Sequence, residues 1–109
     1  STDDGSFGFK GYLDQLLKEV LKKEDKNKVR IYACGPEPLL AKLSRLTKEE
    51  NLFCQLSLEV GMPCGMGTCM GCAVKYKPAS GGKDCNSPVT YKRVCCEGPV
   101  FKAGEVILE

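Results

Sequence analysis

The sequence predicts an α/β fold in two parts, helices alternating with parallel strands over residues 1–60 and a small β-rich module over residues 61–109. Three observations predict it. Apolar residues recur at helical spacing twice in the first part, and each helical stretch is followed by a short run of strand character. Glycine and cysteine then dominate Gly61 to Cys72. Beyond them apolar side chains are sparse, so the second part is expected to be held by something other than burial, and a metal centre would do so.

In order, Tyr12, Leu13, Leu16, Leu17, Val20 and Leu21 form a helical stripe. Gly11 lies at its start, and Lys22, Lys23, Lys26 and Lys28 crowd its end, where cations complement the helix dipole. Val29 to Ala33 reads as a short strand. A second helix starts at about Glu37, with Leu39, Leu40, Leu43 and Leu46 on one face and Pro38 in the first turn, where a missing N–H costs little. Leu52 to Leu58 alternates, with Leu52, Cys54, Leu56 and Leu58 on one face, so Cys54 is expected in the core. The order helix, strand, helix, strand implies parallel strands joined by right-handed crossovers. Two strands are too few for a parallel sheet covered on both faces, so this part reads as the C-terminal portion of a larger nucleotide-binding sheet.

Cys34-Gly35-Pro36 falls at a strand-to-helix junction, the edge at which open α/β sheets bind ligands. Gly35 permits close backbone approach, Pro36 fixes the helix start, and the helix N-terminus offers free amides. The plain alternative is a turn beside a buried cysteine. Thr2-Asp3-Asp4-Gly5 occupies the end of a strand whose body is missing. An acidic side chain there would bond a ribose 2′-OH and repel a 2′-phosphate, favouring NAD over NADP; a solvated turn is the alternative.

Composition narrows the chemistry. With 16 basic and 14 acidic residues the net charge is +2, which gives no reason to expect nucleic acid or an anionic membrane as partner. No apolar run is long enough to cross a bilayer. The absence of histidine excludes Ser-His and Cys-His pairs and every histidine metal site. Eight cysteines in 109 residues leave a disulfide scaffold, zinc or an iron–sulfur cluster. No signal segment opens the chain, and its lysine-rich amphipathic stretches suit a cytoplasmic protein, which favours a metal centre. The start at Ser1-Thr-Asp-Asp-Gly, without an initiator Met, is expected of a processed chain or an excised fragment.

Cys64, Cys69 and Cys72 have the spacing C-x4-C-x2-C, the three-ligand run of plant-type [2Fe–2S] sites. The longer gap lets the chain wrap over a cluster, and the shorter one brings the next thiolate around a corner. Gly65, Gly67 and Gly71 permit left-handed conformations and close approach, so that amide N–H groups can point at sulfur. Zinc sites more often use two CxxC knuckles, and only Cys69 and Cys72 have that spacing. The fourth ligand comes from Cys85, Cys95 or Cys96. Cys85 lies in the irregular stretch Lys77 to Pro88. Val74, Tyr76, Val89, Tyr91 and Val94 are candidates for an antiparallel sheet, and Cys95 ends the strand-like run Tyr91 to Val94. Strand alternation would let only one of Cys95 and Cys96 face a cluster, and spacing does not choose.

Ser57-Leu-Glu, Met62 to Cys72 and Arg93 to Phe101 resemble the [2Fe–2S] segment of the electron-transfer subunit of NAD-dependent dihydroorotate dehydrogenase. Thr2 to Gly11 and Cys34 to Pro38 resemble the NAD-binding half of the same subunit, within the ferredoxin-reductase superfamily. The resemblance implies a reductase-type NAD-binding sheet, incomplete here, followed by a plant-type [2Fe–2S] module. Matching Arg93-Val94 and Gly98 to Phe101 implies Cys95 as the fourth ligand, with Cys96 where the family has a charged residue. It also implies Cys34 beside the nicotinamide, with Gly35, Pro36, Asp3 and Asp4 on the NAD side.

The family's flavin-binding barrel and Gly-rich NAD turn have no counterpart here, so FAD is expected only in the full-length subunit and the fragment alone is expected to be inactive. No residue is assigned a catalytic role. In the whole subunit, electrons from NADH would pass through FAD and the cluster to the flavin of a catalytic subunit in a hetero-oligomer that oxidises dihydroorotate for pyrimidine synthesis. A sister family, NADH-dependent ferredoxin:NADP oxidoreductase, and a zinc-stabilised interaction module are the alternatives.

Overall fold

The computed structural model describes residues 1–77 and 89–108. Helix α1 covers Leu13–Lys23; the Tyr12 carbonyl accepts the Gln15 and Leu16 N–H groups, and the Tyr12 N–H donates to Gln15 Oε1 at 3.2 Å. The stripe expected from the sequence is present, yet only Leu21 is buried, and Tyr12, Leu13 and Val20 stand exposed. A 3₁₀ turn at Lys26–Lys28 is capped by Asp25, which accepts from Asn27 N, and leads into strand β1, Arg30–Cys34.

Helix α2 runs Glu37–Glu49 and packs Leu40, Ala41, Leu43 and Leu46 inward. Thr47, the one buried polar side chain among the described residues, donates to the Leu43 carbonyl at 2.9 Å, so its burial leaves no unpaired hydroxyl. Strand β2, Phe53–Ser57, shows the predicted alternation, with Cys54, Leu56 and Leu58 buried as one face. It pairs with β1 in parallel, Ile31 opposite Cys54 and Ala33 opposite Leu56, as the helix–strand order requires.

The sheet then departs from expectation. Its third strand is β5, Val100–Lys102, which lies antiparallel to β2 with Phe101 opposite Leu56. The sheet is therefore mixed, in the order β1-β2-β5, and it draws on sequence from both sides of residue 60. The remaining strands, β3 at Ala73–Tyr76 and β4 at Thr90–Arg93, form a separate antiparallel pair. Most of the Lys77 to Pro88 stretch, with Cys85, lies outside the described residues.

The second part also does not depend on a metal alone. Cys72, Val94, Phe101 and Val106 are buried in one cluster with Leu40, Cys54, Leu56 and Leu58. The apolar residues after position 60 are too few for their own core, and they borrow the face of β2. Tyr76 stacks at a tilt on Phe101, and its hydroxyl donates to Glu105 Oε2 at 2.8 Å, closing the lower edge of this core.

A second correction concerns the end of β4. Val94 does not continue the strand: a short helix, α3, occupies Val94–Glu97. Glu97 folds back to accept the Arg93 N–H at 2.7 Å, which fixes the turn and holds its carboxyl below the usual range. Cys95 and Cys96 are consequently successive residues of a helical turn, about 100° apart. Strand alternation does not decide between them.

Candidate metal centre

The segment from Cys64 to Cys72 is a loop without regular structure, and its backbone carries the chemistry. Gly65 and Gly67 are left-handed, as the sequence suggested, at φ 68° and 83°. Gly71 is not; Met70 takes the left-handed position instead, at φ 59°. Gly71 serves close approach, because a Cβ there would stand 3.0 Å from Pro63 Cγ and 3.4 Å from Cys69 Sγ.

These turns aim amides at sulfur. Met66 N–H donates to Cys64 Sγ at 3.4 Å, Gly71 N–H to Cys69 Sγ at 3.3 Å, and Cys95 N–H to Cys72 Sγ at 3.5 Å. Cys64 is pulled down to about 5 by the amides of Cys69 and Met66 and the Thr68 side chain, so the thiolate, the form that binds metal, is favoured. Cys72 is lowered chiefly by the Cys95 amide, while the Cys95 thiol is pushed up by its hydrogen bond to Cys72 and then by desolvation. Binding a metal there would displace the thiol protons of both residues.

Cys72 is buried, Cys64 and Cys95 partly so, and Cys69 and Cys96 are exposed. The structure brings Cys72 and Cys95 together. Among the described residues no three cysteine or carboxylate side chains converge closely enough to hold a metal ion as they stand. The donor set still fits an iron–sulfur cluster. It is all thiol, and three of the four expected sulfurs each accept an amide N–H, the contact that stabilises a reduced cluster.

Arg93 joins the two pieces of the centre. Its Nη1 donates to the Gly67 carbonyl at 2.9 Å, tying the loop to the turn that carries Cys95 and Cys96. Arg93 was not among the expected site residues, and 26 residues separate it from Gly67, so no local pattern marks it. Gly67 has no room for a side chain: a Cβ would lie 2.6 Å from Cys96 Sγ and 2.9 Å from Arg93 Nη1. Gly67→Ala is therefore expected to lower stability by about 1–2 kcal/mol through its left-handed backbone and to weaken iron retention by displacing Arg93 and Cys96. Gly104→Ala is the control, since it shares the positive φ, 90°, but meets nothing within 4 Å. Urea midpoints should fall in both variants, and iron content only in the first.

The nucleotide edge is divided. Asp3 and Pro36 line one open cleft of about 380 Å³ with Tyr12, Leu39 and Lys42. Asp4 turns away from it, accepting Ser6 N–H at 2.9 Å, a contact that holds its carboxyl below the usual range. Cys34, expected beside a nicotinamide, is exposed, and its thiol donates to Glu59 Oε1 at 3.3 Å. Gly35 lines a different, smaller pocket of about 90 Å³ with Leu58, Glu59 and Val74. Glu59 was not among the expected site residues, and only its meeting with Cys34 across the sheet edge marks it.

Residues 59–107 match the family described as the iron–sulfur cluster binding domain of dihydroorotate dehydrogenase B. That segment is similar over its whole length to this family of cluster-binding domains. The chain as a whole is a relative of the electron transfer subunit of dihydroorotate dehydrogenase B (NAD(+)). It is 40% identical to that of Caldanaerobacter subterraneus subsp. tengcongensis over 98% of this chain and 39% of the relative. It is 41% identical to that of a Geobacillus species over 99% of this chain and 37% of the relative. The probable counterpart from Methanocaldococcus jannaschii is 40% identical over 92% of this chain and 33% of its own. The chain thus spans well under half the length of these relatives. A solved structure, from work on electron bifurcation by an NADH-dependent reduced ferredoxin-NADP oxidoreductase, matches 96% of this chain and 33% of its own at 25% identity and a TM-score of 0.74. That likeness agrees with the expected reductase-type fold. No described helix is long and apolar enough to cross a membrane.

Proposed function

We propose that this chain carries electrons as part of the electron transfer subunit of a dihydroorotate dehydrogenase B, with Cys64, Cys69, Cys72 and Cys95 as ligands of a [2Fe–2S] cluster. When bound, such a cluster accepts and releases one electron at a time. The chain's own work is to hold it: the glycine turns aim amides at sulfur, Arg93 locks the loop to α3, and the core beneath keeps water from Cys72. The observation that carries this reading is the set of three amide-to-sulfur contacts on Cys64, Cys69 and Cys72.

On the other side of the sheet, Asp3 and Pro36 supply the cleft edge for NAD, while Cys34 and Gly35 stand at the strand end toward which the nicotinamide would point. Asp4 contributes by bracing the turn rather than by direct contact. The FAD of the full subunit, a flavin-containing catalytic partner in a hetero-oligomer, the oxidation of dihydroorotate and a cytoplasmic setting follow by kinship with the relatives. The two parts, a nucleotide part over residues 1–60 and a cluster part over 61–109, are distinguished by their proposed roles; in the fold they share one sheet, since β2 pairs with β5. The structural neighbour supports a second reading, the same carrier role in an NADH-dependent ferredoxin:NADP oxidoreductase, but identity to the dihydroorotate dehydrogenase relatives is higher.

Anaerobic reconstitution with ferrous iron and sulfide tests the proposal. A brown protein with about two irons per chain and a paramagnetic signal on adding dithionite is the expected result. A colourless chain that takes up zinc and no iron would overturn it.

A further inference from the structure

Cys96 lies outside the ligand set proposed above, and its surroundings give it a use. Its Sγ stands 3.6 Å from Cys95 Sγ. Two thiolates on one tetrahedral metal ion, with metal–sulfur bonds of about 2.3 Å, stand about 3.8 Å apart. An iron within reach of Cys95 is therefore within reach of Cys96 with little movement of either side chain. The second observation is independent of this spacing. Cys96 Sγ fills the space that Gly67 leaves open, 2.6 Å from where a Cβ would be, so the thiol, though its residue is exposed, rests on the loop between Cys64 and Cys69. Arg93, bonded to the Gly67 carbonyl, holds that loop and α3 in this relation.

We infer that Cys96 is a reserve ligand: the short helix presents two thiols to the cluster position, and Cys96 takes the iron bond when Cys95 does not. The inference rests on the proposed cluster. The exchange is a proton-balanced substitution. The Cys96 thiol releases its proton to solvent, its sulfur forms the iron bond that Cys95 no longer makes, and no electron changes hands. In the unaltered protein the displaced Cys95 thiolate would take up one proton in return. Cys64 and Cys69 have no such neighbour among the described residues, so the redundancy belongs to this corner of the site.

The test is reconstitution of the full chain with ferrous iron and sulfide, read by iron content, visible absorption and the paramagnetic signal of the dithionite-reduced protein. Cys95→Ala is expected to keep about two irons per chain with shifted visible and paramagnetic spectra, because the sulfur now comes from a different direction. Cys95→Ala/Cys96→Ala and Cys64→Ala are expected to lose the cluster. Far-UV circular dichroism shows whether each variant is folded. Should Cys95→Ala unfold, Cys95→Ser and Cys95→Ser/Cys96→Ala make the same comparison, and identical spectra for those two would overturn the inference. A folded Cys95→Ala as empty as the double variant would also overturn it, leaving the four-cysteine site intact. Loss of the cluster in Cys96→Ala alone would show Cys96 to be the primary ligand and overturn it as well. Failure of the unaltered chain to take up iron would remove the cluster reading and this inference together.

Discussion

Cys72→Ser is expected to cost the protein both its iron and part of its fold, a double loss that no other ligand substitution should produce. Cys72 is 3% exposed and sits in the core cluster with Val94 and Leu40, while its sulfur accepts the Cys95 amide. Serine would place a hydroxyl among apolar neighbours at a cost of about 1–3 kcal/mol and supply a harder, poorer ligand. Cys69, by contrast, is exposed. Cys69→Ser should lose iron with the urea midpoint of the metal-free chain unchanged. Measuring iron content and metal-free unfolding for both variants checks the difference, and equal midpoints would show that Cys72 is not structural.

Leu56→Ala carries the largest expected effect on stability. Leu56 is 1% exposed on the central strand, opposite Ala33 on one side and Phe101 on the other. Truncation there should cost about 2–5 kcal/mol, a large share of what a domain of this size has to spare. Because the side chain lies between elements from both parts of the sequence, the loss should be felt in both. Urea unfolding followed by far-UV circular dichroism and by the visible cluster band should move to lower denaturant together. Separate transitions would mean that the cluster module is held independently of the sheet.

The elements legible in the sequence are those whose pattern is local. Cys54, Leu56 and Leu58 announced β2 by strict alternation, and Leu40, Leu43 and Leu46 announced α2 by helical spacing. The C-x4-C-x2-C run announced the thiol loop because its spacing is short-range. Strand β5 was hidden because it has three residues, of which only Phe101 is buried, and its partner lies some 45 positions earlier. Its pairing is a tertiary choice made by Leu56. The break after Arg93 was missed because Tyr91 to Val94 reads as β-prone, while the contact that stops the strand is Glu97 reaching back to the Arg93 amide. An arginine and a glutamate four residues apart were the available hint. Gly71 was legible in part: close approach was expected of it and is what it serves, while the left-handed turn falls at Met70, because sequence does not separate torsional freedom from clearance.

The ladder between β2 and β5 has a mechanical consequence. Gln55, Leu56 and Ser57 are bonded across to Lys102, Phe101 and Val100, and Ala103 N–H extends the seam to the Cys54 carbonyl. Moving the chain that follows α3 away from the strand next to β1 therefore requires unzipping this seam. The two parts of the sequence are tethered by backbone hydrogen bonds as well as by the packing of Leu56 on Phe101.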